Sequence, residues 1–217
     1  MEMLNEDIRK QLKEIFEGMK NDVTIALFTK EEPCETCEET ESFMKELVST
    51  SEKLHFKQYD INVDKEITKE YGVELTPSIV LLDNNEEYKR IKFNGIPAGH
   101  EINSLIAAIL EVSGNSNNLP KPIEERLKKV TKPINIKVFV TLSCPHCPGA
   151  VEKAHKLALE NPNINAEMIE AQTFYDLSDK YNVSSVPKIV INDKYEFVGN
   201  QPFEEFLNNI DKANAVA

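Results

Sequence analysis

The hydrophobic positions of this 217-residue chain follow the same succession of patterns twice. Apolar residues at helical spacing over 4–19 predict an amphipathic opening helix, and 123–130 is its shorter counterpart. Continuous apolar runs then predict strands over 23–28 and 136–140. Each of these strands leads into a pair of cysteines, so the two halves carry their chemistry at the same point of the pattern.

Behind each cysteine pair the pattern returns to that of a helix with one apolar face, marked by Phe43 and Leu47 in one copy and Val151 and Leu157 in the other. The remaining predicted elements are strands 54–61 and 164–169, short helices ending near Tyr71 and Tyr181, hairpins 78–82 with 88–93 and 188–191 with 195–198, and closing helices 102–112 and 203–210. This order predicts an α/β fold class, with a mixed sheet flanked by helices in each copy.

An internal duplication explains the repetition. Cys34 lies 43 positions before Pro77, and Cys144 lies 43 positions before Pro187. The offset between the copies is 110 up to these prolines and falls to 104 at the glycines that follow, which a shorter hairpin turn in the second copy would explain. A repeat of this size indicates two copies of one structural unit.

The stretch 113–122 between the copies is polar, rich in turn-forming residues and without apolar periodicity. We interpret it as a linker, which predicts an N-terminal domain over 1–117 and a C-terminal domain over 118–217. The alternative is an ordinary surface loop within a single domain, but the duplication on either side argues against it.

Charge and hydropathy exclude two classes of partner. A net charge of -12 and a pI near 4.9 argue against a nucleic-acid binder, which needs clustered cations. No window approaches the roughly 18 consecutive apolar residues of a membrane-spanning helix, and the first residues lack a signal-peptide pattern. We therefore expect a cytoplasmic protein that binds neither nucleic acid nor membrane. The Glu- and Lys-rich charged fraction also favours a thermophilic source.

The four cysteines form the close pairs Cys34/Cys37 and Cys144/Cys147. A bridge within such a pair closes too short a loop to stabilise a fold much, so the pairs indicate redox chemistry or metal binding. At a strand-to-helix junction, unpaired N–H groups and the helix dipole stabilise a thiolate on the first cysteine. We expect Cys34 and Cys144 to be nucleophiles, and Cys37 and Cys147 to resolve the mixed disulfide.

The residues around the second pair favour a reactive thiol. We expect Pro145 and Pro148 in the first helical turn, where a missing N–H costs little. His146 adds a tunable positive charge that would lower the pKa of Cys144 and make this pair a comparatively strong oxidant or isomerase. The alternative is that His146 is a solvated turn residue without a tuning role.

The first motif, Cys34-Glu35-Thr36-Cys37, has an acidic setting. Negative neighbours oppose a thiolate, so we expect a higher pKa for Cys34 than for Cys144 and a less oxidising pair. This pair would then react more slowly or have a different role, such as passing electrons onward. Its other acidic neighbours are Glu31, Glu32, Glu38, Glu39 and Glu41.

Two X–Pro sites, Thr76-Pro77 and Val186-Pro187, are candidate substrate-binding elements. A cis X–Pro bond leaves the backbone of the preceding residue free to pair with a substrate chain. Each proline alone is more often a plain strand-opening residue, but the matched distance to both cysteine motifs favours substrate binding.

Together, the cysteine pairs, the X–Pro sites, the 110-residue repeat and the linker resemble the two-domain glutaredoxin-like protein disulfide oxidoreductases of thermophilic archaea and bacteria. The resemblance covers nearly the whole chain and implies two tandem thioredoxin-like folds. It implies dithiol oxidation, disulfide reduction and isomerisation, as in protein disulfide isomerase. It assigns both cysteine pairs as redox centres, with Pro77 and Pro187 as cis-prolines.

The chain departs from thioredoxins in two respects. Thioredoxins keep a buried carboxylate on the strand before the motif, but the apolar runs before Cys34 and Cys144 contain none. Thioredoxins also carry Trp before the first cysteine, and this chain has no Trp. The proton of Cys37 or Cys147 must then pass to water or to a residue elsewhere, and the sequence identifies no general base.

The expected partners are protein dithiol or disulfide substrates, with no cofactor and no metal. A competing role is an electron relay between a thioredoxin-reductase-like flavoenzyme and a peroxidase such as a peroxiredoxin. A zinc site and a non-catalytic adaptor also stay open. The placement of the cysteine pairs in separate halves argues against a zinc site. The presence of both cysteines in each half argues against a non-catalytic adaptor. We expect His55, His100 and His155 to be ordinary histidines.

Overall fold

The computed structural model describes residues 3–31 and 33–215, which contain eight helices and eight strands. The helices are α1 (Glu6–Phe16), α2 (Cys37–Val48), α3 (Lys65–Glu70), α4 (Ile102–Val112), α5 (Lys121–Leu127), α6 (Cys147–Glu160), α7 (Tyr175–Lys180) and α8 (Phe203–Ala215). The strands are β1 (Val23–Thr29), β2 (Leu54–Asp60), β3 (Ser78–Leu82), β4 (Tyr88–Asn94), β5 (Ile134–Val140), β6 (Ile164–Glu170), β7 (Lys188–Ile191) and β8 (Tyr195–Val198). The predicted order of elements is confirmed in both copies.

The chain divides into two compact units. The N-terminal unit contains the described residues up to Lys89, together with Asn94–Ile96 and Ile106–Ser116. The C-terminal unit contains Arg90–Phe93, Pro97–Leu105 and the described residues from Asn117 onward. Between α4 and α5, residues 115–120 form neither helix nor strand. The sequence boundary at residue 117 stays a prediction.

Both units contain the predicted mixed sheet, which confirms the α/β fold class. In the N-terminal unit, β1 pairs in parallel with β2 and antiparallel with β3. In the C-terminal unit, β5 pairs in parallel with β6 and antiparallel with β7, and β8 extends the sheet antiparallel to β7. A parallel pair joined through a helix, followed by an antiparallel strand, is what the alternation of periods predicts.

The registers bring each cysteine motif and each X–Pro site to the same edge of a sheet. Phe28, near the end of β1, pairs with Ser78, the first residue of β3 after Pro77. Phe139, near the end of β5, pairs with Lys188, the first residue of β7. Because β1 and β5 run directly into the motif loops, the fold brings the loop and the proline to one edge in each unit.

Aromatic residues fill equivalent places in the two cores. The Phe28 ring lies 6.1 Å from the Tyr71 ring in an edge-to-face arrangement, and the Phe139 ring lies 5.4 Å from the Tyr181 ring. Phe28 and Phe139 are fully buried on the central strands, while each tyrosine follows a short helix. These contacts hold α3 and α7 against the sheets, next to the edges where the motifs lie.

The opening helix is shorter than the predicted span 4–19. The side chain of Asn5 accepts the N–H of Ile8 at 2.9 Å and so caps the helix at Glu6. Leu4 and Met19 are each 2% exposed, so they belong to the core although they lie outside the helix. The apolar pattern therefore identified Leu4, Leu12 and Met19 as core residues, but it was wrong for Ile15, which is 40% exposed, and it placed both ends of the helix too far out.

The change of offset between the copies has more than one origin. The turn between β7 and β8 is two residues shorter than the turn between β3 and β4, and β7 and β8 are themselves shorter strands. A shorter turn alone, as predicted, accounts for only part of the shift. The glycines then occupy equivalent places, because Gly95 N–H donates to the Pro77 carbonyl at 2.9 Å and Gly199 N–H donates to that of Pro187 at 2.8 Å.

Candidate active site

The C-terminal cysteine pair lies between β5 and α6. Cys144 and Cys147 form a disulfide with their Cα atoms 5.5 Å apart. Cys147 is the first residue of α6 and is fully buried, whereas Cys144 precedes the helix and is partly exposed. Of the two sulfurs, that of Cys144 is therefore the one that an incoming thiol or disulfide can reach.

The prediction that both prolines of this motif lie in the first helical turn is wrong for one of them. Pro148 lies in the first turn of α6, but Pro145 precedes the helix by two residues. His146 occupies the N-cap position, so the helical hydrogen bonds begin only beyond it. Pro145 and His146 are both exposed in the turn that joins the cysteines.

The N-terminal pair has the same local geometry. Cys34 and Cys37 form a disulfide with their Cα atoms 5.5 Å apart. Cys37 begins α2 and is 7% exposed, while Cys34 lies ahead of the helix and is partly exposed. The order of the cysteines therefore gives an accessible first sulfur and a shielded second sulfur in both units, as the motif spacing predicts.

The surroundings of Cys34 carry negative charge. A cavity of about 760 Å³ beside the disulfide contains the side chains of Glu31, Glu35 and Glu38. Lys30 also lines this cavity and offsets part of that charge, which the sequence prediction did not take into account. Carboxylates this close to the sulfurs oppose ionisation of a thiol.

Glu39 and Glu41 are not among the residues that line this cavity. Glu41 forms an ion pair with Lys45, which lowers the pKa of the Glu41 carboxyl, and it also accepts a hydrogen bond from Gln58 at 2.9 Å. Glu39 is exposed in the first turn of α2, and Glu32 lies outside the described residues. Among the described residues, the three carboxylates that line the cavity are the acidic groups placed beside the disulfide.

The two X–Pro bonds are both cis, at Thr76-Pro77 and Val186-Pro187. The carbonyl oxygen of Val186 lies 3.9 Å from Cys144 Sγ, so this site and the C-terminal motif are in direct contact. Pro77 and Pro187 are buried, whereas Thr76 and Val186 remain partly exposed. The residue before each proline is thus the one that an approaching chain can touch.

A groove of about 640 Å³ runs beside the C-terminal motif, within the C-terminal unit. It extends from the end of β5 and the start of α7 to Val186, the residue in contact with Cys144. Tyr175 is its most prominent apolar side chain, with 70% of the residue exposed. The residues lining the groove are Thr141, Ala171, Gln172, Tyr175, Ser178, Asp179, Asn182, Val183, Ser184, Ser185 and Val186.

The C-terminal unit also contains a buried carboxylate that the sequence did not predict. Glu101 lies in a short 3-10 turn, Gly99–Glu101, and is fully buried. The adjacent His100 N–H donates to the carbonyl of Leu142, two residues before Cys144, at 2.9 Å. Burial raises the pKa of Glu101 to about 7, against a hydrogen bond from the Ser104 hydroxyl that lowers it. The position of Glu101 in the sequence did not indicate that it is buried near a motif, because Glu101 follows β4 and does not precede a cysteine pair.

Within residues 3–31 and 33–215, no group of three or more His, Cys, Asp or Glu side chains is arranged to hold a metal ion. None of the helices in these ranges is long and apolar enough to cross a membrane. Each cysteine is joined to its partner within a motif. Both pairs are thus in the disulfide form.

Comparison with known sequences identifies the family twice in the chain. The thioredoxin domain family matches residues 22–107 and 134–212, which include both cysteine motifs. Among curated proteins, the alkyl hydroperoxide reductase AhpF of Staphylococcus aureus is 28% identical over 208 residues, which make up 96% of this chain and 38% of that protein. The chain thus spans less than two fifths of the length of this relative.

Solved structures extend the likeness to the tandem arrangement. A protein disulfide oxidoreductase from Aeropyrum pernix is 35% identical with a TM-score of 0.90, covering 99% of this chain and 95% of that chain. A mutant of the alkylhydroperoxide reductase AhpF from Enterococcus faecalis is 31% identical with a TM-score of 0.90, covering 96% and 100%. The predicted resemblance is confirmed, and the chain belongs to the thioredoxin domain family as a disulfide oxidoreductase with two Cys-Xaa-Xaa-Cys motifs.

Proposed function

We propose that the chain exchanges disulfides with protein substrates, with Cys144 as the main nucleophile and Cys147 as the resolving thiol. The observation that carries this proposal is the placement of a partly exposed Cys144 ahead of a fully buried Cys147, in contact with the carbonyl of Val186. Attack from outside then falls on the first sulfur, and the second stays within reach to release the product.

In the reducing direction, the Cys144 thiolate attacks one sulfur of a substrate disulfide. A bond forms between that sulfur and Cys144, and the other substrate sulfur leaves as a thiolate that takes up a proton. The Cys147 thiolate then attacks Cys144 Sγ, which forms the internal disulfide and releases the second substrate thiolate. Two electrons pass from the protein to the substrate, and oxidation of a substrate dithiol is the reverse.

Substrate binding in this proposal uses the two X–Pro sites. Thr76 and Val186 would pair through their backbones with an extended substrate segment, and Pro77 and Pro187 would keep that backbone available. His146 and Pro145 would tune the Cys144 thiol from the exposed turn between the cysteines. Reactive cysteine pairs are typical of compartments that keep thiols reduced, so the two pairs also support a cytoplasmic location.

The N-terminal pair, Cys34 and Cys37, is proposed as a second and slower centre. Its three carboxylate neighbours support this assignment, since negative charge raises the pKa of a thiol and reduces the thiolate fraction at neutral pH. Lys30 weakens the effect without reversing it, because the described lining of the cavity holds three carboxylates and one cation.

The test uses two variants that each retain one pair, Cys34→Ser/Cys37→Ser and Cys144→Ser/Cys147→Ser. Redox titration of each pair is combined with insulin reduction and with refolding of scrambled ribonuclease. We expect activity in both assays, carried mainly by the variant that retains Cys144. Absence of activity in every assay, for the parent protein with both pairs reduced, would contradict the proposed function.

A second candidate is an electron relay from a thioredoxin-reductase-like flavoenzyme to a peroxiredoxin. It is favoured by the match of 96% of the chain to the alkyl hydroperoxide reductase AhpF of Staphylococcus aureus. The test measures peroxide-dependent NADPH oxidation with thioredoxin reductase and a peroxiredoxin added in turn. Turnover that requires this chain and both added enzymes supports the relay, and turnover unaffected by the chain removes it.

A further inference from the structure

We propose that the groove beside Cys144 binds an extended, uncharged segment of the substrate protein, and that Tyr175 anchors an apolar side chain of that segment. The inference rests on the proposed function, because it names the substrate class of the same redox centre. It concerns only the groove between α7 and Val186 in the C-terminal unit.

The groove is continuous with the reactive sulfur. Val186 lines it, and the carbonyl of Val186 lies 3.9 Å from Cys144 Sγ. When a substrate cysteine is joined to Cys144 by a disulfide, the substrate chain on either side of it must lie along the surface next to that sulfur. The groove, of about 640 Å³, offers a concave surface that begins at this contact.

The charge of the lining selects the kind of segment. Asp179 is the only charged residue among those that line the groove, and the polar residues are otherwise uncharged amides and hydroxyls such as Gln172 and Ser184. Uncharged amides and hydroxyls can donate to and accept from a peptide backbone without requiring a charged partner. A segment rich in Glu would be repelled by Asp179, and a segment rich in Lys would find a single acidic partner among the described lining residues, so an uncharged segment fits this groove better than either.

The repeat offers an internal comparison. At the offset of 110, Tyr175 corresponds to Lys65, the first residue of α3, as Tyr175 is the first residue of α7. Asp179 likewise corresponds to Lys69, and Ser184 to Glu74. These three positions thus all carry charged side chains in the N-terminal unit, whereas only Asp179 is charged among them in the C-terminal unit.

Tyr175 is the residue best suited to act as the anchor. It is 70% exposed, although the large aromatic side chains of the central strands are fully buried. A tyrosine ring presents a large apolar surface with few rotatable bonds, so contact with a partner costs little conformational entropy. An exposed aromatic ring on the wall of a groove that reaches the nucleophile is placed to contact the residues beside a substrate cysteine.

The experiment measures single-turnover reduction of short peptides dimerised through one cysteine, with Leu, Ser, Lys or Glu at the two positions on either side. Reduced Cys34→Ser/Cys37→Ser protein supplies the electrons, ending as the Cys144–Cys147 disulfide while two peptide thiols are released. We expect the Leu peptide to react about three- to tenfold faster than the Lys and Glu peptides. Tyr175→Lys should abolish this preference, whereas Tyr175→Phe should retain it.

Bis(2-hydroxyethyl) disulfide is the control, because it has no side chains to occupy the groove. It gives the reference rate for each protein, and the rate of the Leu peptide divided by this reference should fall in Tyr175→Lys and be retained in Tyr175→Phe. An unchanged ratio between the Leu and charged peptides in Tyr175→Lys overturns the anchor, as does an equal loss toward the small disulfide. Failure of every disulfide to react with the parent protein would instead contradict the proposed function.

Discussion

The two redox centres share a backbone and differ in the charges around it. In both units an accessible first cysteine precedes a helix that begins at a shielded second cysteine, at the sheet edge where a cis X–Pro site also lies. Cys34 has three carboxylates in the cavity beside its disulfide, while Cys144 has His146 in its turn and an almost uncharged groove beside it. The comparison shows that duplication preserved the scaffold while the electrostatic setting of each thiol diverged.

The largest expected effect is on turnover by each isolated pair. We expect Cys34→Ser/Cys37→Ser protein to keep at least about half of the insulin-reducing rate, and Cys144→Ser/Cys147→Ser protein to keep about a tenth or less, because the thiolate fraction governs attack. Turbidity of insulin under identical dithiothreitol supply measures both rates. Equal rates for the two variants would remove the distinction between the centres.

The second prediction concerns a feature of the C-terminal unit alone, the buried Glu101. Its folded-state pKa of about 7 lies above its ordinary value of 4.5, so its contribution to stability is present below pH 4.5 and is lost as pH rises through 7. At pH 8, Glu101→Gln should therefore raise the free energy of unfolding by about 1–3 kcal/mol.

Urea unfolding of the parent protein and of Glu101→Gln at pH 5 and pH 8 measures this difference. The gain should shrink at pH 5, where the carboxyl is already protonated and an amide brings little advantage. Glu125→Gln, at an exposed position of α5, is the control for removing a negative charge from an acidic chain. A gain of equal size at both pH values would show that Glu101 does not titrate as its burial implies.

A smaller effect is expected at His146, in the turn of the second motif. His146→Thr should raise the pKa of Cys144 by about one unit, because it removes from the motif turn an imidazole that favours the thiolate when it is protonated. The measurement is thiolate absorbance against pH in protein that lacks the N-terminal pair. No change in the titration would support the alternative in which His146 is a solvated turn residue.

The smallest expected effect is at the acidic cavity of the first motif. Glu35→Gln combined with Glu38→Gln should lower the pKa of Cys34 by about half a unit, since exposed charges are screened by water and salt. Lys30→Gln should shift it in the opposite direction. Titration in protein that lacks the C-terminal pair measures both shifts, which should shrink as salt is added.

The apolar pattern predicted the order of the elements, because the longer helices have one apolar face, whereas strands such as β1 and β3 are continuous apolar runs buried along their whole length. It could not predict where α1 begins, which depends on the side chain of Asn5, or that Pro145 lies ahead of α6, which depends on where the helical hydrogen bonds start. Helix ends depend on individual caps rather than on patterns.

The cysteines and prolines of the site were identifiable because their spacing repeats. Tyr175 and Glu101 were not, since an exposed tyrosine at a helix start and a carboxylate after β4 look ordinary in the sequence. Only the tertiary structure shows that Tyr175 lines the groove that reaches Val186. It also shows that Glu101 is completely buried, next to the residue whose N–H binds the carbonyl of Leu142 ahead of Cys144. Lys30 stands next to Glu31 in the sequence, but only the structure shows that it lines the cavity beside the first disulfide.

The most direct test of the inequality between the two centres is the pKa of each nucleophile, measured by thiolate absorbance in two variants. Cys37→Ser in protein lacking the C-terminal pair isolates Cys34, and Cys147→Ser in protein lacking the N-terminal pair isolates Cys144. We predict a lower pKa for Cys144 than for Cys34, because His146 favours the thiolate and the cavity carboxylates oppose it. A pKa for Cys34 equal to or lower than that of Cys144 would contradict the account.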